Sequence, residues 1–128
     1  DRSREFDDAL ALTGQVIEQS QEIREQAIAL SNEVEKMTRS LPSISSAEAR
    51  QAVLESISSR LAMISRLINY SAYLDQLLQA LRNRFTGVKN KVPVSAIIAQ
   101  INTEINSINN FNTQAVRSME RFDSIVSE

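Results

Sequence analysis

The chain has no cysteine and no histidine, and among its 128 residues only two glycines and two prolines. Without cysteine there can be no disulfide, no thiolate chemistry and none of the usual structural zinc sites. That absence leaves the redox compartment open, because such a chain suits the cytosol and the periplasm alike. Without histidine the commonest general base and the commonest transition-metal ligand are both missing. Scarce glycine and proline mean few turns and long elements. Net charge is −2, so composition supplies no bulk pull toward nucleic acid or an anionic membrane. Long apolar runs are lacking too. The longest charge-poor stretch, 92–116, contains Glu104 and many Asn, Thr and Gln residues, too polar to enter a bilayer.

What the sequence does hold is periodicity. Phe6, Ala9, Thr13, Val16, Ser20, Ile23, Ala27, Leu30, Val34, Met37 and Leu41 alternate three and four apart. A second stripe reads Val53, Ile57, Arg60, Ile64, Leu67, Ser71, Leu74, Leu78, Leu81, Phe85, and a third Val94, Ile98, Ile101, Ile105, Ile108, Asn112, Ala115, Met119, Phe122, Val126. Such spacing keeps side chains on one helix face, and only helices packed on helices sustain it this long. The expectation is one all-α domain over 1–128, an elongated antiparallel up-down-up three-helix bundle with coiled-coil-like packing and helices over about 3–40, 46–86 and 95–127. With no initiator Met ahead of Asp1, the chain reads as a piece of a longer protein or a processed product.

Local signals agree with these limits. Leu41-Pro42-Ser43 stops the first helix, since proline disfavours helix in the residue before it. Ser45 with Glu48 fits a capping box opening the second. Gly87 can take the left-handed conformation that ends it, with Val88 folding back on the last turn. Ser95 is the expected cap of the third. Gly14, inside the first helix, suggests close packing or a mild bend.

Centring the turns near Ser43/Ile44 and Lys89/Asn90 sets residue n of the first helix against 87−n of the second, and residue m of the second against 179−m of the third. Ser20, Ser71 and Asn112 then gather near mid-rod as a polar core layer, of the kind that pins register at a cost in stability. The alternative places these residues at a wet rim. Arg60 interrupts the second stripe and is expected to reach outward, leaving Leu61 to fill the gap.

Charge is distributed unevenly. Fourteen of the first forty residues are ionisable, whereas 61–81 holds only Arg66 and Asp75, and 92–116 only Glu104. The two poor stretches lie side by side in the expected register. Tyr, Met and amides with little charge characterise the middle of protein interfaces. Asn69, Tyr70, Tyr73, Asn102, Asn106, Asn109 and Asn110 are therefore candidate partner-binding residues on the side of the second and third helices. A merely polar face and a ligand groove remain the competing readings.

Other chemistry finds little support. Asp7 with Asp8, and Glu22 with Glu25, read as solvated charges beside Arg4 and Arg24. No carboxylate falls on a stripe, so the inward Glu and Glu-x-x-His of di-iron bundles are absent. Phosphate loops and nucleophile elbows are missing as well. Arg82, Arg84, Lys89 and Lys91 cluster at the second turn, where cations complement a helix C-terminus. Asn69-Tyr70-Ser71 matches a glycosylation sequon, but in mid-helix. No catalytic residue, metal site or cofactor is expected. The sequence reads as a non-enzymatic interaction or scaffold domain that binds a partner helix or itself, a dimer being possible, with no nucleic acid and no direct membrane insertion. A second reading is an extracytoplasmic sensor or adhesin domain of a membrane-anchored protein.

Overall fold

Residues 2–127 are described by a computed structural model. They form α1 (Arg2–Ser40), a 3-10 turn (Leu41–Ser43), α2 (Ala47–Thr86) and α3 (Val94–Val126). The chain runs up, down and up, so the free ends of α1 and α3 point to opposite ends of a rod. At 40 residues α2 is about 60 Å long.

The helix ends follow from a few residues. Pro42 sits in the first positions of the 3-10 turn, where its missing N–H costs nothing. The cap of α2 is Ser46 and not Ser45: its Oγ accepts from the Ala49 amide at 3.2 Å. Ala49 thus takes the third helical position, so Glu48 is one residue too early to reach back in a capping box. Gly87 has φ +74°, and the Val88 amide donates to the Asn83 carbonyl at 2.9 Å, the 6→1 bond of a Schellman end. Pro93 precedes α3, which begins at Val94 without a side-chain cap, and Ser95 lies inside its first turn. Gly14 leaves α1 unbroken, and a Cβ there would meet nothing within 4 Å, so close packing does not explain it.

The α1 stripe is buried or half-buried from Ala9 to Leu41, leaving only Phe6 exposed. In α2 the expected stripe has a companion. Ala49, Ala52, Ser56, Met63, Leu77 and Ala80 are as buried as Val53, Ile57, Leu67, Leu74 and Leu81. A helix flanked by two neighbours must bury two seams, and α2 contacts both α1 and α3 while its tie to α3 is the more extensive. The third stripe is turned relative to expectation. Its buried residues are Ile97, Ile101, Glu104, Ala115 and Ser118, whereas Ile98, Asn112 and Val126 are exposed. The apolar arc of α3 is wide enough for either seam, and packing on α2 selects the one that includes Glu104.

The helices also slide past the expected register. Phe6 meets Phe85 edge to face at 5.4 Å, four residues beyond the expected Leu81. Arg66 pairs with Glu104, where Thr113 was expected, and Ser56 with Ala115, where Asp123 was expected. The loop explains the second slide. Asn90 donates to the Ala80 carbonyl at 3.2 Å and accepts from Asn83 at 2.9 Å. These bonds fold residues 88–91 back along α2 instead of over its tip. By the Arg66–Glu104 pairing α3 starts level with Gln76, about 15 Å short of the end of α2. Beyond that level α1 and α2 run as a pair, and Phe6, Leu10 and Phe85 stay exposed.

Nor does the polar layer form as expected. Ser20 is buried and Ser71 half-buried near one level, but Asn112 is exposed. By the Ser56–Ala115 pairing Asn112 is level with residue 59, about 18 Å along α2 from Ser71. A different polar relay crosses the bundle. Glu33 of α1 pairs with Arg60 at 2.8 Å, the Arg60 Nε donates to Ser56 Oγ at 3.2 Å, and Ser56 donates to the Ala115 carbonyl of α3 at 3.2 Å. Arg60 therefore lies inward, with its side chain 14% exposed, and Leu61 is the residue that faces water.

Candidate interaction surface

The charges of mid-α2 are turned toward its neighbours. Between Arg50 and Asp75 its charged residues are Glu55, Arg60 and Arg66. Glu55 pairs with Arg121 of α3 at 2.6 Å, Arg60 with Glu33 of α1, and Arg66 with Glu104 of α3 at 3.5 Å. Burial of Glu104 on the α2/α3 seam corrects the expectation that no carboxylate stands on a stripe. With these side chains engaged, the exposed residues of 51–74 are all uncharged. The exposed residues of α3 through Val116 are uncharged as well.

The candidate partner residues share this region but not one patch. Asn69, Asn102, Asn106 and Asn110 are exposed. Asn106 stands two residues from both Glu104 and Ile108, so it projects from the back of α3, opposite the buried seam. Asn109, also exposed, borders a groove of about 220 Å3 together with Gln19, Glu22 and Gln26 of α1. Tyr70 and Tyr73 are half-buried against the core. Burial, and then the nearby Glu22 carboxylate, raise the Tyr70 hydroxyl pKa above its usual value.

Reading the stripes missed a further seam on α2. Leu54, Leu61 and Ile68 recur every seven residues and are 46%, 52% and 61% exposed. With Ser58, Ser65 and Ala72, also exposed, they give a regular four-three spacing on the face turned away from both α1 and α3. The signal was present in the sequence. A helix that faces two neighbours carries a wide apolar stripe in any case, and that width conceals the outer seam.

A further concavity lies at the other end of the same helix. Phe6, Leu10, Leu81 and Phe85 line an open groove of about 870 Å3 where α1 and α2 outrun α3, with Arg2, Glu5, Asp8 and Arg84 around it. Arg84 also occupies the last turn of α2, as the helix dipole favours. Among the described residues no group of three or more acidic, His or Cys side chains could hold a metal ion, and no helix is long and apolar enough to cross a membrane. Comparison of the chain with protein-family models, curated proteins and solved structures finds no match.

Proposed function

We propose that this chain is a non-enzymatic interaction or scaffold domain whose uncharged side, formed by the outer faces of mid-α2 and α3, receives a helix of a partner or of a second copy. One observation carries the reading. Every charged side chain from 51 to 74 is paired within the bundle, which leaves exposed Leu, Ile, Ser, Ala, Gln and Asn residues from Gln51 to Ala72. Desolvating such a face costs less than desolvating charges, and an amphipathic helix is the ligand that a straight helical face accommodates. A rod with ends about 60 Å apart also suits a spacer that presents this side along its length.

Photo-crosslinking in extract of the source cells tests the reading. Crosslinkers at Asn69 and Asn110, on the uncharged side, should capture discrete protein adducts; crosslinkers at Glu18 and Lys36, on the exposed face of α1, should not. Equal capture from both sides, or none from the first, would remove this surface from consideration.

A further inference from the structure

The exposed seam of α2 has a property that a generic apolar face lacks: it is complementary to itself in one direction only. Large side chains stand at Leu54, Leu61 and Ile68, and small ones at Ser58, Ser65 and Ala72. Turning a second α2 antiparallel, so that position 54 faces position 72, sets Leu54 on Ala72, Ser58 on Ile68 and Leu61 on Ser65. The same contacts repeat by symmetry, so each large side chain meets a small one, which is how facing layers interdigitate. No other alignment of the seam does this over its whole length. In a parallel pair leucine meets leucine and serine meets serine, leaving gaps at every second layer.

Charge selects the same arrangement. The uncharged stretch is bounded by Arg50 at one end and Asp75 at the other, both exposed. In the antiparallel alignment Arg50 lies one residue, about 1.5 Å of rise, from the level of the second copy's Asp75. Both ends of the seam then close with opposite charges. A parallel alignment would set Arg50 against Arg50 and Asp75 against Asp75. Size and charge are separate properties of the sequence, and both point to one geometry.

We propose that the back of α2 docks a second copy of this chain antiparallel, about a two-fold axis level with Met63, to form an isologous dimer. The proposal rests on the reading of the uncharged side as a docking surface, and it names the occupant. An isologous contact satisfies a self-complementary patch without leaving a free end for further growth. One helix seam is at the small end for a stable interface, so the dimer should be weak and concentration-dependent.

Sedimentation equilibrium of the purified chain from about 5 µM to about 0.5 mM, a range that brackets weak association, should show a monomer–dimer equilibrium. Leu61→Glu should abolish dimerisation while leaving helicity and melting temperature unchanged, because Leu61 is exposed in the single chain. Arg50→Asp should weaken the dimer about tenfold, since two symmetric attractions become repulsions. The exchange of both charges, R50D with D75R, should restore it. The absence of native cysteine permits a geometric check. An equimolar mixture of L54C and A72C chains should form a mixed disulfide, because these positions lie level across the axis. Neither should link to itself, its two copies standing about 27 Å apart along the axis. A monomer across the whole range, an L54C self-link, or no rescue by the exchanged charges would each overturn the proposal. A monomer that still gives adducts with another protein at Asn69 and Asn110 would overturn the dimer alone and leave the interaction reading standing.

Discussion

Along α3 the contact with α2 is close and polar at its centre, whereas along α1 it is made mostly by larger apolar side chains that stay half-exposed. Ser56 reaches the backbone carbonyl of Ala115, and both residues are 0% exposed, so the two helix backbones approach closely at that level. Glu104 is buried beside Arg66, and Arg121 closes on Glu55 near the free end of α3. By comparison the buried residues of α1 are Val16, Ser20 and Ile23, all in one stretch near its middle. Ala27, Leu30, Val34 and Met37 are only partly covered. Interaxial distance is set by the side chains at the contact, so small residues draw α3 in while larger ones hold α1 off. The rod is thus a tight hairpin of α2 and α3 with α1 laid along it.

Enlarging a small residue to leucine should therefore cost very different amounts on the two sides. Ser56→Leu places a leucine where a hydroxyl and a carbonyl are 3.2 Å apart. It also takes from the Arg60 guanidinium a partner in the relay to Glu33. We expect a loss of about 3 kcal/mol, from overpacking and the broken hydrogen bonds together. Ala27→Leu, on the half-buried stripe of α1, should cost less than about 1 kcal/mol because the added carbons can move toward solvent. Paired thermal and urea denaturation would measure both. Equal losses would mean that α1 and α3 pack alike.

The ion pair between Arg66 and Glu104 sharpens the comparison at smaller amplitude. The Glu104 side chain is 6% exposed and that of Arg66 41% exposed, so removing the arginine leaves a carboxylate facing an apolar seam. Arg66→Ala should cost about 1–2 kcal/mol, less than for a fully buried pair because water still reaches the arginine side. Replacing both residues with methionine should recover most of that loss, since a well-packed apolar pair often matches or exceeds a buried ion pair. The R66M/E104M chain unfolding more easily than R66A would show that the pair is needed for more than its own compensation.

These contrasts mark where the sequence was legible. The period of the stripes, the stop at Pro42 and the end at Gly87 are local, so the three helices emerge within a residue or two. The α1 stripe holds almost residue by residue because thirteen of the chain's thirty Asp, Glu, Lys and Arg residues lie on α1 and all of them fall off the stripe. Register was not legible. It depends on Asn90 bonding to Ala80 and Asn83, a tertiary event that no period encodes. The seam of α3 was misplaced for a related reason. Its apolar arc spans both Ile97 and Ile98, so periodicity could not choose, and the error carried Asn112 into a core it does not enter. Charge depletion in 61–81 and 92–116 was read correctly as a feature. What the sequence hid is its cause, the inward pairing of Glu55, Arg60 and Arg66, and with it the exposed seam of Leu54, Leu61 and Ile68.

The smallest expected effect concerns Tyr70 of α2, which lies close to Glu22 of α1. Its ring is packed against the core cluster, and burial followed by the Glu22 carboxylate raises its pKa above the ordinary 10.0. The folded state therefore holds the phenol proton more tightly than the unfolded state does. Below pH 10.0 both states are protonated and the group contributes no pH dependence. As pH rises past the unfolded value, the unfolded chain loses its proton first, and stability falls until the folded pKa is passed. Tyr70→Phe should flatten that alkaline decline and leave stability at neutral pH nearly unchanged, since only a half-buried hydroxyl is removed. Melting temperatures from about pH 8 to pH 11, spanning tyrosine's ordinary titration, would read the difference. An identical decline in the phenylalanine variant would mean that the approach of α1 to α2 at Glu22 does not desolvate Tyr70, and that the α1 side is looser than even its half-buried stripe implies.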